Sequence, residues 1–191
     1  GFHERITHAV ETQPGAVRLI MIELDTFKRI NDTHGHAAGD TVLVEIADLL
    51  RSCSDQTQAI CRLGGDEFAI LGEMSAVQAM EFAELIRKAI EARTYQGGIR
   101  VTASIGVSGP IHPAGIQQAL EEANRCAYAA KSQGRNRVVS SEMLFQQVGE
   151  NSNELDLLEF EDLLRVVTDR VTNLIRLRGR RMFQKWRRIS Q

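Results

Sequence analysis

Two acidic clusters stand where acids are unusual. Glu23-Leu24-Asp25 closes an almost continuously apolar run that begins at Val17. Asp66 and Glu67 follow a double glycine within Arg62-Leu63-Gly64-Gly65-Asp66-Glu67-Phe68. A run that is apolar at nearly every position reads as a central strand covered on both faces, so carboxylates at its end call for a reason. Taken alone, the double-glycine stretch reads as a hairpin connection with solvated acids. Two acidic strand ends side by side in one sheet have a sharper reading. They offer hard oxygen donors of the kind Mg²⁺ prefers, since that ion is held by one or two carboxylates together with substrate phosphates. Lysines and arginines nearby then complete a nucleotide site.

The elements that must position these residues follow from apolar spacing. Phe2, Ile6, Ala9 and Val10 suggest an entry helix closed by Gln13-Pro14-Gly15. The strand Val17–Leu24 is followed by a helical turn over 27–32, a glycine-rich loop, and a periodic helix carrying Val42, Leu43, Ile46, Leu49 and Leu50. Strands over 59–63 and 67–71 are joined by Gly64-Gly65-Asp66. A helix over Ala76–Ala92, a strand over 99–107, a helix over Ile116–Ser132 and a short strand over 137–139 complete the pattern. The order is βαββαβ with insertions, an α+β plan in which helices pack on one face of a mostly antiparallel sheet.

Composition narrows the classes. The chain has 191 residues, 43% hydrophobic and 25% charged, with 3 Pro against 15 Gly, which describes a globular domain with some length to spare. No apolar run is long enough for a membrane-spanning helix. The opening Gly-Phe-His-Glu-Arg lacks the zones of a secretory signal, says nothing for export and reads as a cut inside a longer chain; three cysteines that cannot all pair fit the reduced thiols of a cytoplasmic protein, the location expected. The cysteines Cys53, Cys61 and Cys126 have no metal-ligand spacing and read as reduced, buried apolar filler. His3, His8, His34 and His112 likewise show no ligand spacing.

After Ser140 the pattern changes. Residues 141–152 read as a linker, and residues 153–191 as a long amphipathic helix. There Leu157, Phe160, Leu164, Val167, Val171 and Leu174 keep the spacing of a coiled-coil seam. Self-association or packing on its own domain ranks first for this stripe. Seven bases between Arg176 and Arg188, with Met182, Phe183 and Trp186, give an anionic membrane surface as the second reading. A nucleic-acid partner is not expected, because no recognition motif accompanies the bases and the formal net charge is -2.

The motifs together resemble the GGDEF family of diguanylate cyclases. The blocks are Asp25 to Asp32, Gly35-His36-Ala37-Ala38-Gly39-Asp40, Arg62 to Phe68, Val101 to Val107, and Ala129 to Arg137, in family order over residues 1–140. The resemblance implies a palm-like, ferredoxin-like fold related to class III nucleotidyl cyclases. It implies that two GTP condense to cyclic di-GMP with release of two pyrophosphates, in a homodimer of facing domains with two Mg²⁺ or Mn²⁺ per site. It puts Glu23, Asp66 and the Leu24 carbonyl on the metals, with Glu67 as a further ligand or as the group that helps deprotonate the ribose 3′-hydroxyl. Gly64 and Gly65 let the backbone approach the nucleotide. Lys28, Lys131 and Arg135 resemble the residues that hold phosphates, and Asn31 and Asp40 the pair that reads guanine.

Three departures from the family pattern bear on function. Glu23 stands where the family usually has Asp, which implies reduced turnover, or a catalytically weak domain that binds nucleotide and signals through partners. The family's product-inhibition motif would fall at Gln56-Thr57-Gln58-Ala59, so no inhibitory site is expected there. The family's opening block would precede Gly1, which leaves the input signal unread and allows an upstream tether to the inner membrane.

Overall fold

The computed structural model describes residues 16–55, 58–111 and 115–150. The chain divides into two compact units, residues 1–146 and 147–191, and the fold below is that of the first. The expected entry helix over 2–10, Gln56 and Thr57, His112, and the heptad stripe with its basic end lie outside the described residues.

The elements in order are β1 (Val17–Leu24), α1 (Phe27–His34), α2 (His36–Cys53), β2 (Ala59–Gly64), β3 (Glu67–Glu73), α3 (Ala76–Ala92), β4 (Ala103–Val107), α4 (Ile116–Ser132), β5 (Val138–Ser140) and α5 (Ser141–Glu150). The five strands form one sheet in the order β2-β3-β1-β4-β5. β1 lies at its centre, antiparallel to β3 and β4; β2 is antiparallel to β3, and only β5 runs parallel to its neighbour, β4. The mostly antiparallel α+β architecture is thus present.

The expectation that helices cover one face is corrected. Alternate residues of a strand point to opposite faces, and β1 is buried at all eight positions. Ile20, Ile22 and Leu24 pack with Val42, Ile46 and Leu50 of α2 and Ile86 and Ile90 of α3. Val17, Leu19 and Met21 pack with Ala119, Ala123 and Ala127 of α4. A strand apolar at every position needs cover on both sides, so α4 takes the face opposite α2 and α3.

Local boundaries differ in three places. The expected glycine-rich loop before the second helix shrinks to Gly35 (φ 83°), and α2 already runs from His36 with Gly39 inside it. The expected strand over 99–107 is regular only from Ala103, while Ile99 bridges back to Tyr95. Tyr95 is buried with its hydroxyl donating to the Ile90 carbonyl at 3.2 Å, and burial pushes its pKa up to about 12. α3 starts on a reciprocal cap. The Gln78 N–H donates to Ser75 Oγ at 3.2 Å, and the Ser75 N–H to Gln78 Oε1 at 2.9 Å.

Of the cysteines, only Cys126 is the buried filler expected, its thiol pushed up to about 12 by burial. Cys53 is half-buried and Cys61 exposed, because β2 is an edge strand whose outer face meets solvent. No helix among the described residues is long and apolar enough to cross a membrane.

Candidate active site

The β1–β3 register brings the two acidic clusters together. Glu23 stands directly opposite Glu67 on β3, and opposite Ser104 on β4. Like charges at directly opposed positions oppose sheet formation unless something neutralises them. Glu23 is buried, at 8% exposure, and its Oε2 accepts from Lys131 Nζ in an ion pair. Lys131 reaches it from the last turn of α4, the helix packed on that face. Leu24 turns its side chain into the core, which leaves only its backbone for the site, and its N–H donates to the Asp66 carbonyl at 3.2 Å. Glu67 and Asp66 are half-buried at the start of β3 and in the turn before it.

That turn is shaped by its sequence. Gly65 has φ 57°, a left-handed conformation that a side chain would strain. The Arg62 guanidinium grips the same residue, donating to the Gly65 carbonyl from Nε at 3.0 Å and from Nη2 at 2.7 Å. The register of the β2–β3 pair also shifts between Arg62 and Gly64.

Asn31 and Gly39 come together through a close approach of α1 and α2. A Cβ added to Gly39 would lie 1.9 Å from Asn31 Oδ1 and 3.2 Å from the tip of the Phe27 ring. The Asn31 carboxamide therefore lies against Gly39, one residue before Asp40, which is exposed. Lys28 on α1 and Arg135 in the α4–β5 turn are also exposed.

Several residues with a part in the site are given no role by the resemblance. Asp25 is 4% exposed, and its carboxylate accepts from Ser104 Oγ at 2.7 Å, Thr102 Oγ1 at 2.6 Å and the Asn136 N–H at 3.1 Å. It faces inward with its bonds made, unlike Glu23. Asn136 in turn accepts from Arg87 Nη1 and donates to Glu91 Oε1, each at 2.8 Å. Arg87 Nη1 also pairs with Glu91 at 2.7 Å, and hydrogen bonds from Arg87 and then Asn136 hold the Glu91 carboxyl below its ordinary range. Arg62 is the other unassigned residue. The sequence signal was there in Thr102-Ala103-Ser104, whose hydroxyls alternate along one strand face toward Asp25.

Among the described residues no three or more His, Cys, Asp and Glu side chains gather as a metal cage. The pair that does meet fits Mg²⁺ chemistry nonetheless. Glu23 and Glu67 supply two hard carboxylates, and an ion of this kind takes its remaining oxygens from water and substrate phosphates. The Lys131 ammonium already on Glu23 shows that this spot calls for positive charge.

Residues 1–137 match the family described as diguanylate cyclase, GGDEF domain. The chain belongs to the GGDEF domain family. Diguanylate cyclase A of Treponema denticola is 44% identical over 128 residues, covering 64% of this chain and 34% of that protein. Diguanylate cyclase DgcM of Escherichia coli is 34% identical over 140 residues, covering 68% of this chain and 34% of that protein. The chain thus spans about a third of the length of these relatives. Among solved structures, the GGDEF fold superposes on the active GGEEF domain of a Vibrio cholerae diguanylate cyclase with TM-score 0.66 at 29% identity, over 73% of this chain and 91% of that one. It also matches the coiled coil and GGDEF domain of Caulobacter crescentus DgcB, a complex with c-di-GMP, with TM-score 0.64 at 28% identity over 73% and 76% of the two chains.

Proposed function

We propose that this GGDEF domain is a diguanylate cyclase. The observation that supports the reading is the cross-strand pair Glu23 and Glu67 with Lys131 on Glu23; Asn31, whose carboxamide lies against Gly39, and Asp40 are read as the pair that recognises the purine. In the reaction the 3′-oxygen of each GTP attacks the α-phosphorus of the other. Two P–O bonds to the α-phosphates form, two to the β-phosphate side break, and two pyrophosphates leave. Each 3′-hydroxyl proton passes to a carboxylate such as Glu67 and on to solvent.

Glu23, Asp66, Glu67 and the Leu24 carbonyl would hold two divalent cations per site, which would acidify the hydroxyl and neutralise phosphate charge. Lys28, Lys131 and Arg135 grip the β- and γ-phosphates as ammonium and guanidinium donors. Asp40 accepts from the N1–H and exocyclic amine of guanine, a donor pair that adenine lacks, so GTP is preferred over ATP. One domain holds one GTP, and so two copies must face each other for the ring to close. The stripe from Leu157 to Leu174 offers a seam that raises the effective concentration of that pair.

A second reading is favoured by one observation: the longer Glu23 arm is engaged by Lys131. In that case the domain binds GTP, turns it over weakly and signals through its partners. Pyrophosphate release from GTP and from ATP separates the two. The first reading expects release from GTP alone, in step with cyclic product, and the second expects GTP binding with almost no release.

A further inference from the structure

The α4–β5 segment is fastened to the end of β1 at two points, and the second has no role in the reading above. Asp25 is the first residue beyond β1, and its carboxylate accepts from Ser104, the residue that stands opposite Glu23 in the sheet, so the two acids lie beside the same stretch of β4. Glu23 receives Lys131, and Asp25 receives the Asn136 N–H. Between those attachments the chain closes a tight turn. The Arg135 N–H donates to the Ala130 carbonyl at 2.9 Å, and the Gly134 N–H to the Lys131 carbonyl at 3.3 Å. Arg135 and Asn136 both have positive φ, 66° and 47°. Asn tolerates that region, whereas for Arg it is strained and persists only where the surroundings fix it.

The surroundings do so from two directions. Below the turn, Asp25 holds the Asn136 backbone, and Asp25 is itself locked by Thr102 and Ser104 at the start of β4. Beside the turn, α3 holds the Asn136 amide through Arg87 and Glu91. Three neutral donors on the Asp25 carboxylate fill most of its acceptor capacity and point it into the protein. Glu23 is the carboxylate of this strand end that meets the charged groups of the site.

We infer that Asp25 and Asn136 are positioning residues that fix the turn carrying Lys131 and Arg135 at the distance from β1 where both reach the same triphosphate. The inference rests on reading Lys131 and Arg135 as phosphate ligands. Without the Asp25–Asn136 tie, the two cations still exist but no longer share one geometry. The loss therefore falls on the triphosphate and spares the base.

The test is calorimetry with the α,β-methylene analogue of GTP, which cannot form the product, and with GMP, both in Mg²⁺. Asp25→Ala is expected to weaken analogue binding about tenfold, the scale of one charge-assisted hydrogen bond, and GMP binding by less than about twofold. Asp25→Asn keeps an acceptor for the Asn136 N–H and recovers most of the affinity. Asn136→Gly keeps the turn's backbone conformation, removes only the amide, and shows the same selective loss; it decides the matter if Asp25→Ala does not fold. Equal losses for analogue and GMP, or wild-type affinity in Asn136→Gly and Asp25→Ala while Lys131→Ala loses the analogue, would overturn the positioning role. A Lys131→Ala variant that binds the analogue like the wild type would instead remove the phosphate-site reading, and the inference with it.

Discussion

Glu23 on β1 and Glu67 on β3 face each other across the sheet, and the only charge-bearing partner seen on Glu23 among the described residues is Lys131. On the proposed reading, Lys131 occupies the position that a divalent cation would take in the reaction. Two consequences follow for binding: the ammonium must leave Glu23 for a phosphate when substrate arrives, and until then it competes with divalent ions for the carboxylate.

Lys131→Met is therefore expected to tighten Mn²⁺ binding in the absence of nucleotide, by about threefold to tenfold for a partly exposed ion pair, and to weaken GTP binding. Titration of Mn²⁺ followed by electron paramagnetic resonance reads the first effect directly. Metal affinity that is unchanged or lower would show that the pair does not compete with the metal.

Glu23→Asp shortens the arm that Lys131 engages and introduces the residue that the resemblance leads one to expect there. Turnover is expected to rise severalfold. Unchanged or lower kcat in that variant would show that the site is built around the longer acid.

Gly39→Ala offers a test of the guanine pair. The new methyl would sit 1.9 Å from Asn31 Oδ1, the far end of a side chain that can swing away, and 3.2 Å from the buried Phe27 ring, which must yield slightly, a cost set against the better helix former that α2 gains. The expected outcome is a thermal midpoint close to the wild type with GTP affinity reduced about tenfold and preference over ATP relaxed. Competition between the two nucleotides measures it, and an unaltered ratio would sink the assignment of Asn31 and Asp40.

At the opposite end of β1, Arg18 is 7% exposed and donates from Nη1 to the Ser108 carbonyl at 2.9 Å and to Glu142 on α5 at 2.7 Å. Burial pushes the Glu142 carboxyl up, but its own backbone N–H and Arg18 more than offset this and leave it below its ordinary 4.5. A carboxyl depressed in the folded state stabilises fully above its unfolded value, and that contribution is lost as pH falls through the lower folded value. Glu142→Gln should cost about 1–2 kcal/mol at neutral pH, the exposed side of the pair being screened, and should flatten the fall in stability below about pH 4.5. Urea unfolding at several pH values checks it; parallel curves for the two proteins would contradict it. We propose on the same ground that the folded domain extends past residue 140, since Arg18 draws its counter-charge from beyond it.

Much of this was legible in the sequence because the relevant signals are local. The uninterrupted apolar run of β1 marked the central strand, and the double glycine marked the β2–β3 turn. The helices Ala76–Ala92 and Ile116–Ser132 were marked by periodicity alone. What escaped depends on distant partners. Nothing local distinguishes Asp25, saturated by Thr102, Ser104 and Asn136, from Glu23 two residues earlier, which meets Lys131 instead. Gly39 suggested a loop because glycine is a poor helix former, yet it sits inside α2, where the missing side chain makes room for Asn31.

The central claim, that Glu23 and Glu67 frame a site for joining two GTP, is tested most directly by incubating the purified chain with GTP and Mg²⁺ or Mn²⁺ and separating the products by chromatography, beside Glu67→Gln. The account predicts cyclic di-GMP and pyrophosphate in a ratio of about one to two from the wild type, and neither from Glu67→Gln, because the variant keeps the shape of the acid but loses the charge that the metals and the 3′-hydroxyl require. Measurable GTP binding with no cyclic di-GMP from the wild type at high protein concentration, or equal product from the two proteins, would contradict it.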